Sequence, residues 1–372
     1  MALDNSPITV TKPFLPDKKE FDKLTDEIWK NRWLTNDGPL LQRFIQGLKE
    51  FTGAEHVCPT VNGHLGLDIA MKVLELKGEV ITTPFSFAST SHAISMNGCK
   101  PVFCDIREDD YTLDADLIED LITDKTSAIM PVHVYGFPCN VDKIERIAKK
   151  HGLSVIYDAA HAFGVRYNKK SLVRYGDLSM VSFHATKLFN TIEGGALITD
   201  RDDLEGRIRA LRNFGIVDEV NVDYIAGNAK MNEFQAAMGI LNLQSIDDIL
   251  KERKAITEHY RERLEGIDGI TFHVPENDSR LTYNYAYFPV LIDKEEFGKD
   301  REHVYQYLKD RRIYTRRYFY PLISDYACYS GLEHRELPNA ERISEQVLCL
   351  PIYNGLTIPE VDLVVDTILG SR

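Results

Sequence analysis

One lysine, Lys187, lies on a loop between two short apolar runs, 178–183 and 196–199, which are typical of strands. Six residues after the lysine, the chain reads EGG at 193–195. Loops at strand ends carry the chemistry of α/β proteins, and a buried lysine amine can form an imine with a carbonyl compound. Considered alone, a lysine such as Lys187 is more often a solvated loop residue. The interpretation therefore depends on residues elsewhere in the chain.

Two polar side chains follow another predicted strand, 153–157, and these are Asp158 and His161. A carboxylate at a strand end can hold a proton on a heterocyclic nitrogen, and an imidazole three residues later can reach the other side of the ring. Each residue also has a structural alternative. Asp158 could cap the following turn, and His161 could be a hydrogen-bonded core histidine.

A candidate phosphate site occurs at Gly63 and His64, where a predicted strand, 56–60, is followed by apolar residues at helical spacing. A glycine turn that leads into a helix presents unpaired amides and the positive end of the helix dipole. A plain turn between strand and helix is the alternative.

Together these residues meet the requirements of pyridoxal 5'-phosphate. Its phosphate needs amides and hydroxyls, its ring needs a stacking face, its pyridine nitrogen needs an acidic partner and its aldehyde needs an amine. Phe87 and Ser182 complete the set as the stacking ring and the hydroxyl. Each motif is weak alone, but their ordered combination predicts a site for this cofactor.

The elements that must position these residues alternate between strands and helices. Strands are predicted at 56–60, 80–82, 101–105, 127–133, 153–157, 178–183 and 196–199, and helices at 18–30, 39–53, 65–74, 90–97, 116–123, 141–152 and 204–211. This alternation predicts an α/β protein with a mainly parallel central sheet between helices. Ligands then bind beyond the carboxyl ends of the strands.

A long helical segment, 232–264, becomes charged near residues 247–254, which predicts a domain boundary there. We therefore expect a large domain at 1–247 and a smaller α+β domain at 248–372. The smaller domain has predicted strands at 271–273 and 285–292, helices at 302–309 and 342–346, and a last helix after a capping box at 357–360.

Composition excludes several classes of protein. The chain has 372 residues and a net charge of −13, from 44 Lys+Arg and 57 Asp+Glu, which argues against non-specific nucleic-acid binding. Its six cysteines are far apart, without CxxC or Cys/His pairs, so neither a disulfide framework nor a metal site is expected. With no signal sequence and no membrane span predicted, we expect a cytoplasmic protein.

Over nearly its whole length the sequence resembles the DegT-type sugar-nucleotide aminotransferases, which are fold-type I pyridoxal-phosphate enzymes. The motifs that carry the resemblance are WLTNDGPL at 33–40, VNGHLGL at 61–67, TTPFSFAST at 82–90, PVFCDI at 101–106, PVHVYG at 131–136, YDAAHAFG at 157–164, SFHATK at 182–187 with EGGA, LRNFG at 211–215 and GNAKMNEFQAAMG at 227–239. Among subgroups, it is most similar to the one that makes dTDP-4-amino-4,6-dideoxyglucose from the 4-keto sugar.

The resemblance implies roles for the residues already singled out. Lys187 would form the Schiff base with the cofactor and move the proton between carbons. Asp158 would pair with the pyridine nitrogen and His161 with the phenolic oxygen. The remaining cofactor-binding residues would be Gly63, His64, Phe87 and Ser182, with Asn228 reaching the partner's cofactor in a homodimer with shared active sites.

Substrate contacts are implied at Trp33 and Thr35, and at Lys230, where relatives usually have arginine. Most relatives have Thr or Ser in place of His64, so a hydroxyl for the phosphate is missing there. The basic and aromatic run 311–321 could suggest single-stranded nucleic acid, but the acidic chain favours a nucleotide-sugar, contacted by Arg316 or Tyr318. A solvated face is the alternative.

The implied reaction is transfer of an amino group from glutamate to a nucleotide-linked keto sugar, in deoxysugar synthesis for a cell-surface polysaccharide such as lipopolysaccharide O-antigen. A lysine at position 187 speaks against the dehydratase branch of the family, in which histidine replaces it. The alternatives are a C3 sugar aminotransferase, a lyase or racemase on the same fold, and a non-catalytic ligand-binding relative.

Overall fold

The computed structural model describes residues 6–275, 278–333 and 335–372. Its strands are β1 (His56–Thr60), β2 (Glu79–Thr82), β3 (Lys100–Phe103), β4 (Thr126–Met130), β5 (Ser154–Asp158), β6 (Arg166–Tyr167), β7 (Lys170–Ser171), β8 (Leu178–Ser182), β9 (Gly195–Thr199), β10 (Ile270–Phe272), β11 (Leu281–Thr282), β12 (Phe288–Ile292) and β13 (Val347–Leu350). Its α-helices are α1 (Lys18–Asn31), α2 (Pro39–Thr52), α3 (Gly63–Val73), α4 (Ser89–Met96), α5 (Val141–His151), α6 (Asp202–Arg212), α7 (Glu233–Gln244), α8 (Ile246–Leu264), α9 (Lys294–Phe297), α10 (Arg301–Asp310), α11 (Pro338–Gln346) and α12 (Ile358–Leu369).

A seven-stranded sheet in the order β1-β9-β8-β5-β4-β2-β3 forms the centre of the protein. Five of its strands, β3, β2, β4, β5 and β8, pair in parallel, whereas β9 runs antiparallel to both β8 and β1. Its strands are mostly buried, as expected when helices cover both faces. The predicted mainly parallel α/β sheet is therefore confirmed.

The local signals at helix ends explain why most predicted helices form. Helix α2 has proline in its first turn and ends at Gly53, whose φ of 70° is the left-handed conformation that glycine adopts without strain. Gly152 ends α5 in the same way, with φ of 66°. The last helix, α12, has the predicted capping box between Thr357 and Glu360.

Three local predictions were wrong. The predicted helix 116–123 contains only a single 3₁₀ turn, Glu119–Leu121, because side chains such as Asp114 and Thr123 hydrogen-bond to nearby backbone amides instead. The segment 232–264 is two helices that meet at Ser245. The strand predicted at 285–292 begins only at Phe288, since Tyr285 has a φ of 53°, which is incompatible with an extended strand.

A second sheet, in the order β10-β12-β13, belongs to the C-terminal part of the chain. It packs with α8, α10 and α12 around a separate apolar core, which also contains Ile8 from the N-terminus. Ile8 is joined to this part by backbone hydrogen bonds with Arg312 and Tyr314, at 3.1 and 2.8 Å. The boundary between 1–247 and 248–372 stays a prediction, because Tyr283 and Ile343 pack in the larger core.

Among the described residues, no helix combines the length and the apolar character that crossing a bilayer would require.

A buried glutamate, Glu233, connects two of the motifs noted in the sequence. Its two carboxylate oxygens accept hydrogen bonds from the amides of Leu40 and Leu41, both at 2.9 Å, at the start of α2. Glu233 is 2% exposed. A carboxylate at this position satisfies two amides that have no partner within their helix and favours the positive end of the helix dipole.

We expect Glu233→Ala to lower the free energy of unfolding by about 2–4 kcal/mol, because two buried amides would lose a charged acceptor. Urea denaturation would measure the change. Glu262→Ala, at an exposed position of α8, is the control and should change stability by less than about 0.5 kcal/mol. Equal stability of both variants would contradict the assigned role of Glu233.

Candidate active site

A cavity of about 540 Å³ lies beyond the carboxyl ends of β5 and β8, at the starts of α3 and α4. This is the location that a parallel sheet predicts for its ligand. Eight of the site residues predicted from sequence line the cavity, namely Gly63, His64, Phe87, Asp158, His161, Ser182, Lys187 and Tyr318. The fold therefore brings together residues that are up to 255 positions apart in the chain (318 − 63).

Lys187 places its amine inside this cavity, where Nζ donates a hydrogen bond to the hydroxyl of Tyr287 at 3.2 Å. Burial lowers the pKa of Lys187 to about 8, although the charge of Asp158 acts in the opposite direction. A substantial fraction of the amine is consequently neutral near pH 8. Only the neutral amine has the lone pair that attacks a carbonyl or accepts a proton.

Asp158 is the last residue of β5 and is 4% exposed. Its carboxylate accepts hydrogen bonds from the hydroxyl of Thr90 at 2.7 Å and from the amide of Ala160 at 3.1 Å. Burial raises the pKa of Asp158, and these two hydrogen bonds together with the charge of Lys187 oppose that rise. A cationic ring nitrogen bound in the cavity would further stabilise the charged carboxylate.

His161 has a defined hydrogen-bonding state because its Nδ1 accepts the amide of Tyr135 at 3.0 Å. Burial lowers the pKa of His161 well below its usual value, so the ring is neutral and carries its proton on Nε2. The ring packs 4.6 Å from that of Tyr287. His161 can therefore donate one hydrogen bond to a ligand oxygen.

The start of α3 provides amides for an anion. The side chain of Asn62 caps the amide of Leu65 at 2.9 Å, whereas the amides of Gly63 and His64 have no capping side chain within the described chain. The EGG sequence allows this close arrangement, since a Cβ atom on Gly195 would lie 2.8 Å from the amide nitrogen of Gly63. Glycine at position 195 is thus required by this close approach and not by a left-handed backbone conformation.

A hydroxyl also lies beside His64, although His64 itself has none. Its Nδ1 is 2.9 Å from the hydroxyl of Ser89, the first residue of α4, which lines the same cavity. Sequence reasoning missed Ser89, Thr90 and Tyr287 as site residues. Ser89 and Thr90 belong to the motif at 82–90, which could have indicated them. Tyr287 had no such signal, because its contact with Lys187 joins residues 100 positions apart.

Five predicted site residues do not line the cavity of the same chain. Trp33 and Thr35 are exposed near the start of α2, and Arg316 is exposed while its backbone pairs with Cys349. Lys230 donates a hydrogen bond to the side chain of Asn213 at 2.6 Å. Asn228 is exposed. The roles assigned to these residues remain predictions.

The assembled groups fit pyridoxal phosphate. The cavity offers a buried amine and a buried carboxylate whose hydrogen-bond donors are both neutral. It also offers a neutral imidazole donor and uncapped helix amides. The ring of Phe87 lines the same cavity and is 64% exposed, which leaves its face available for stacking.

Comparison with known proteins finds matches over nearly the whole chain. The sequence model of the DegT/DnrJ/EryC1/StrS aminotransferase family matches residues 16–369. The chain is 44% identical over 363 residues to the dTDP-4-amino-4,6-dideoxy-D-glucose transaminase of Shigella dysenteriae, covering 97% of this chain and 98% of that protein. It is also 44% identical over 374 residues to the Escherichia coli protein of that name, covering 99% and 100%.

Solved structures with the same fold include DesI, crystallised in the presence of its TDP-sugar product. That chain superposes with a TM-score of 0.94 at 35% sequence identity, covering 99% of this chain and 93% of DesI. A protein from Bacillus cereus described as a putative PLP-dependent aminotransferase superposes with a TM-score of 0.89 at 26% identity, covering 98% and 100%.

The lowered pKa of Lys187 predicts a reactive amine in the cofactor-free protein. Below about pH 8 the amine is protonated and unreactive, and above it the rate of acylation should rise to a plateau. Peptide mass spectrometry after brief treatment with a small acylating reagent at a series of pH values would give the midpoint. A midpoint equal to that of Nα-acetyl-lysine, about 10.4, would contradict burial of this amine.

Proposed function

The chain belongs to the DegT/DnrJ/EryC1/StrS aminotransferase family, and we propose that it transfers an amino group from glutamate to dTDP-4-keto-6-deoxyglucose, giving dTDP-4-amino-4,6-dideoxyglucose. It is a sugar aminotransferase by family and fold. The observation that carries the proposal is the buried amine of Lys187 in one cavity with Asp158 and the uncapped start of α3.

Pyridoxal phosphate is the cofactor that this site would hold. Once bound, it supplies the carbonyl that takes the amino group and the ring that accepts electrons. Asp158 would hold the ring nitrogen, His161 would donate to the phenolic oxygen, and Phe87 would cover one face of the ring. The amides of Gly63 and His64 and the hydroxyl of Ser182 would bind the phosphate.

Lys187 would act as the acid and base of the reaction. Its pKa of about 8 lies near physiological pH, so the amine can both accept and return a proton without a large energetic cost. Its position in a cavity between the sheet and Tyr287 limits access of bulk water to the reacting carbon.

The choice of sugar is supported by the two relatives at 44% identity, which share one name, and by DesI, which was crystallised with its TDP-sugar product. We place the reaction in deoxysugar synthesis for a cell-surface polysaccharide such as O-antigen, in the cytoplasm, where nucleotide sugars are made.

We further propose that two chains share their active sites. Glutamate and a nucleotide diphosphate are both anionic, yet Lys187 is the only lysine or arginine among the residues that line the cavity in the described chain. Asn228 lies on the surface in a segment with exposed apolar residues, including Val220 and Ile225, which are 85% and 99% exposed. A second copy packed on this segment would cover the apolar residues and could place Asn228 and Lys230 at the neighbouring cavity.

Incubation of the purified protein with glutamate, pyridoxal phosphate and a panel of dTDP-, UDP- and GDP-linked keto sugars tests the reaction. We expect amination of dTDP-4-keto-6-deoxyglucose at C4, identified by mass and NMR. Lys187→Met should lower kcat by about 10⁴-fold or more, because no other group can replace the amine. Amination at C3, or turnover of free amino acids without a sugar, would overturn the proposed substrate.

Mixing two inactive variants tests the shared site. In a mixed dimer of Lys187→Ala and Asn228→Ala chains, one of the two sites contains only natural residues. If the variants exchange subunits freely, about a quarter of the wild-type activity should return. Each variant alone is the control. No recovery, with mixed dimers verified by native mass spectrometry, would show that Asn228 serves its own chain.

A further inference from the structure

A tyrosine-rich segment, residues 283–287, reaches the cavity from the C-terminal part of the chain. Its last residue, Tyr287, accepts the hydrogen bond from Lys187 Nζ at 3.2 Å. Within the described parts of the chain, no other hydrogen bond to this amine occurs. The ring of Tyr287 also lies 4.6 Å from that of His161. One residue therefore contacts two of the groups that would handle the cofactor.

A buried arginine, Arg253, holds this segment from α8. Its Nη1 atom donates to the carbonyls of Tyr285 and Ala286 at 3.4 and 3.3 Å, and its Nε atom donates to the side chain of Asn354 at 3.3 Å. Arg253 is 2% exposed, and its hydrogen bonds go to neutral oxygens. These hydrogen bonds offset part of the free-energy cost of burying the cation, and the two to Tyr285 and Ala286 hold the backbone next to Tyr287.

Asn284 connects the same segment to the loop of His161. Its side-chain amide donates to the carbonyls of His161 and Phe163 at 2.7 and 2.9 Å, and its Oδ1 accepts the amide of Ala286 at 3.2 Å. Asn284 is fully buried. The segment is therefore fixed on one side to α8 and on the other to the loop after β5.

We propose that Tyr287 is a positioning residue that holds the amine of Lys187 at its reactive place in the cavity, and that Arg253 and Asn284 fix the segment that carries it. The proposal rests on the function proposed for Lys187.

A phenol suits this task in both charge states of the lysine. Burial raises the pKa of Tyr287, so its hydroxyl stays protonated. It can accept a hydrogen bond from the ammonium and donate one to the neutral amine. Because hydrogen bonds to charged groups are the stronger ones, loss of the hydroxyl should destabilise the ammonium more than the amine. The pKa of Lys187 should then fall further.

Tyr287→Phe removes only the hydroxyl and gives the test. In the cofactor-free protein, the midpoint of Lys187 acylation should move from about pH 8 to a value lower by about half to one unit. In the enzyme loaded with cofactor, kcat should fall by about tenfold or more, while KM for the sugar nucleotide changes by less than about twofold. A residue with only a structural role would leave the acylation midpoint unchanged.

Tyr285→Phe is the matched control. It lies in the same segment, does not line the cavity, and its hydroxyl makes no hydrogen bond among the described residues. It should leave both the midpoint and kcat unchanged. If Tyr287→Phe does not fold, Arg253→Lys provides a second variant, since it keeps the charge but lacks the two separate donor atoms, Nη1 and Nε, that contact the two carbonyls and the side chain of Asn354. It should shift the midpoint in the same direction.

The outcomes separate this inference from the proposed function. If wild-type protein aminates the keto sugar and Tyr287→Phe matches it in midpoint and kcat, the positioning role is overturned and the proposed function stands. If wild-type Lys187 is acylated with an ordinary midpoint and no sugar is aminated, the proposed function fails first. A change in Tyr285→Phe equal to that in Tyr287→Phe would also overturn the role of the hydroxyl.

Discussion

Burial of the Lys187 amine is the physical constraint that the rest of the site satisfies. Folding lowers its pKa from 10.5 to about 8, so the folded state holds the charged form at a cost of about 3 kcal/mol below pH 8. Because folding lowers the pKa of Lys187, this cost is present in full below pH 8. It disappears as the pH rises through 10.5, the pKa of the lysine in the unfolded chain. A large packed core offsets this cost, and the result is an amine of which a substantial fraction is neutral near pH 8.

The motifs that are separate in the sequence are linked by a few buried polar side chains. Gln235, at the start of α7, donates to the carbonyls of Val61 and Glu193 at 3.2 and 2.5 Å. It thereby ties the start of α3 to the loop that carries the EGG sequence, while Glu233 on the same helix caps α2. Helix α7 therefore fixes the relative positions of three motifs without lining the cavity itself.

The sheet and the strand ends could be predicted from sequence because their signals are local. Apolar runs and flanking glycines place Asp158 and Lys187 at neighbouring strand ends, and a parallel sheet then brings them together. Tyr287 could not be found in this way, since its contact with Lys187 depends on how two distant segments pack. The helix predicted at 116–123 does not form, which shows a second limit of prediction from sequence. Side chains there hydrogen-bond to nearby backbone amides in place of the helical hydrogen bonds.

The two ends of the chain meet in the second core. Ile8 packs there with residues between 256 and 368 and pairs with Ile313, so these contacts join distant parts of the sequence. Many of the contacts in this protein consequently have a high sequence separation, which slows folding. During synthesis, Ile8 cannot pair until Ile313 has emerged from the ribosome, and the cavity is incomplete until Phe319, which lines it, has been made. A chain interrupted between residues 199 and 287 would hold its lysine and the strands of its central sheet but not the tyrosine that contacts that lysine.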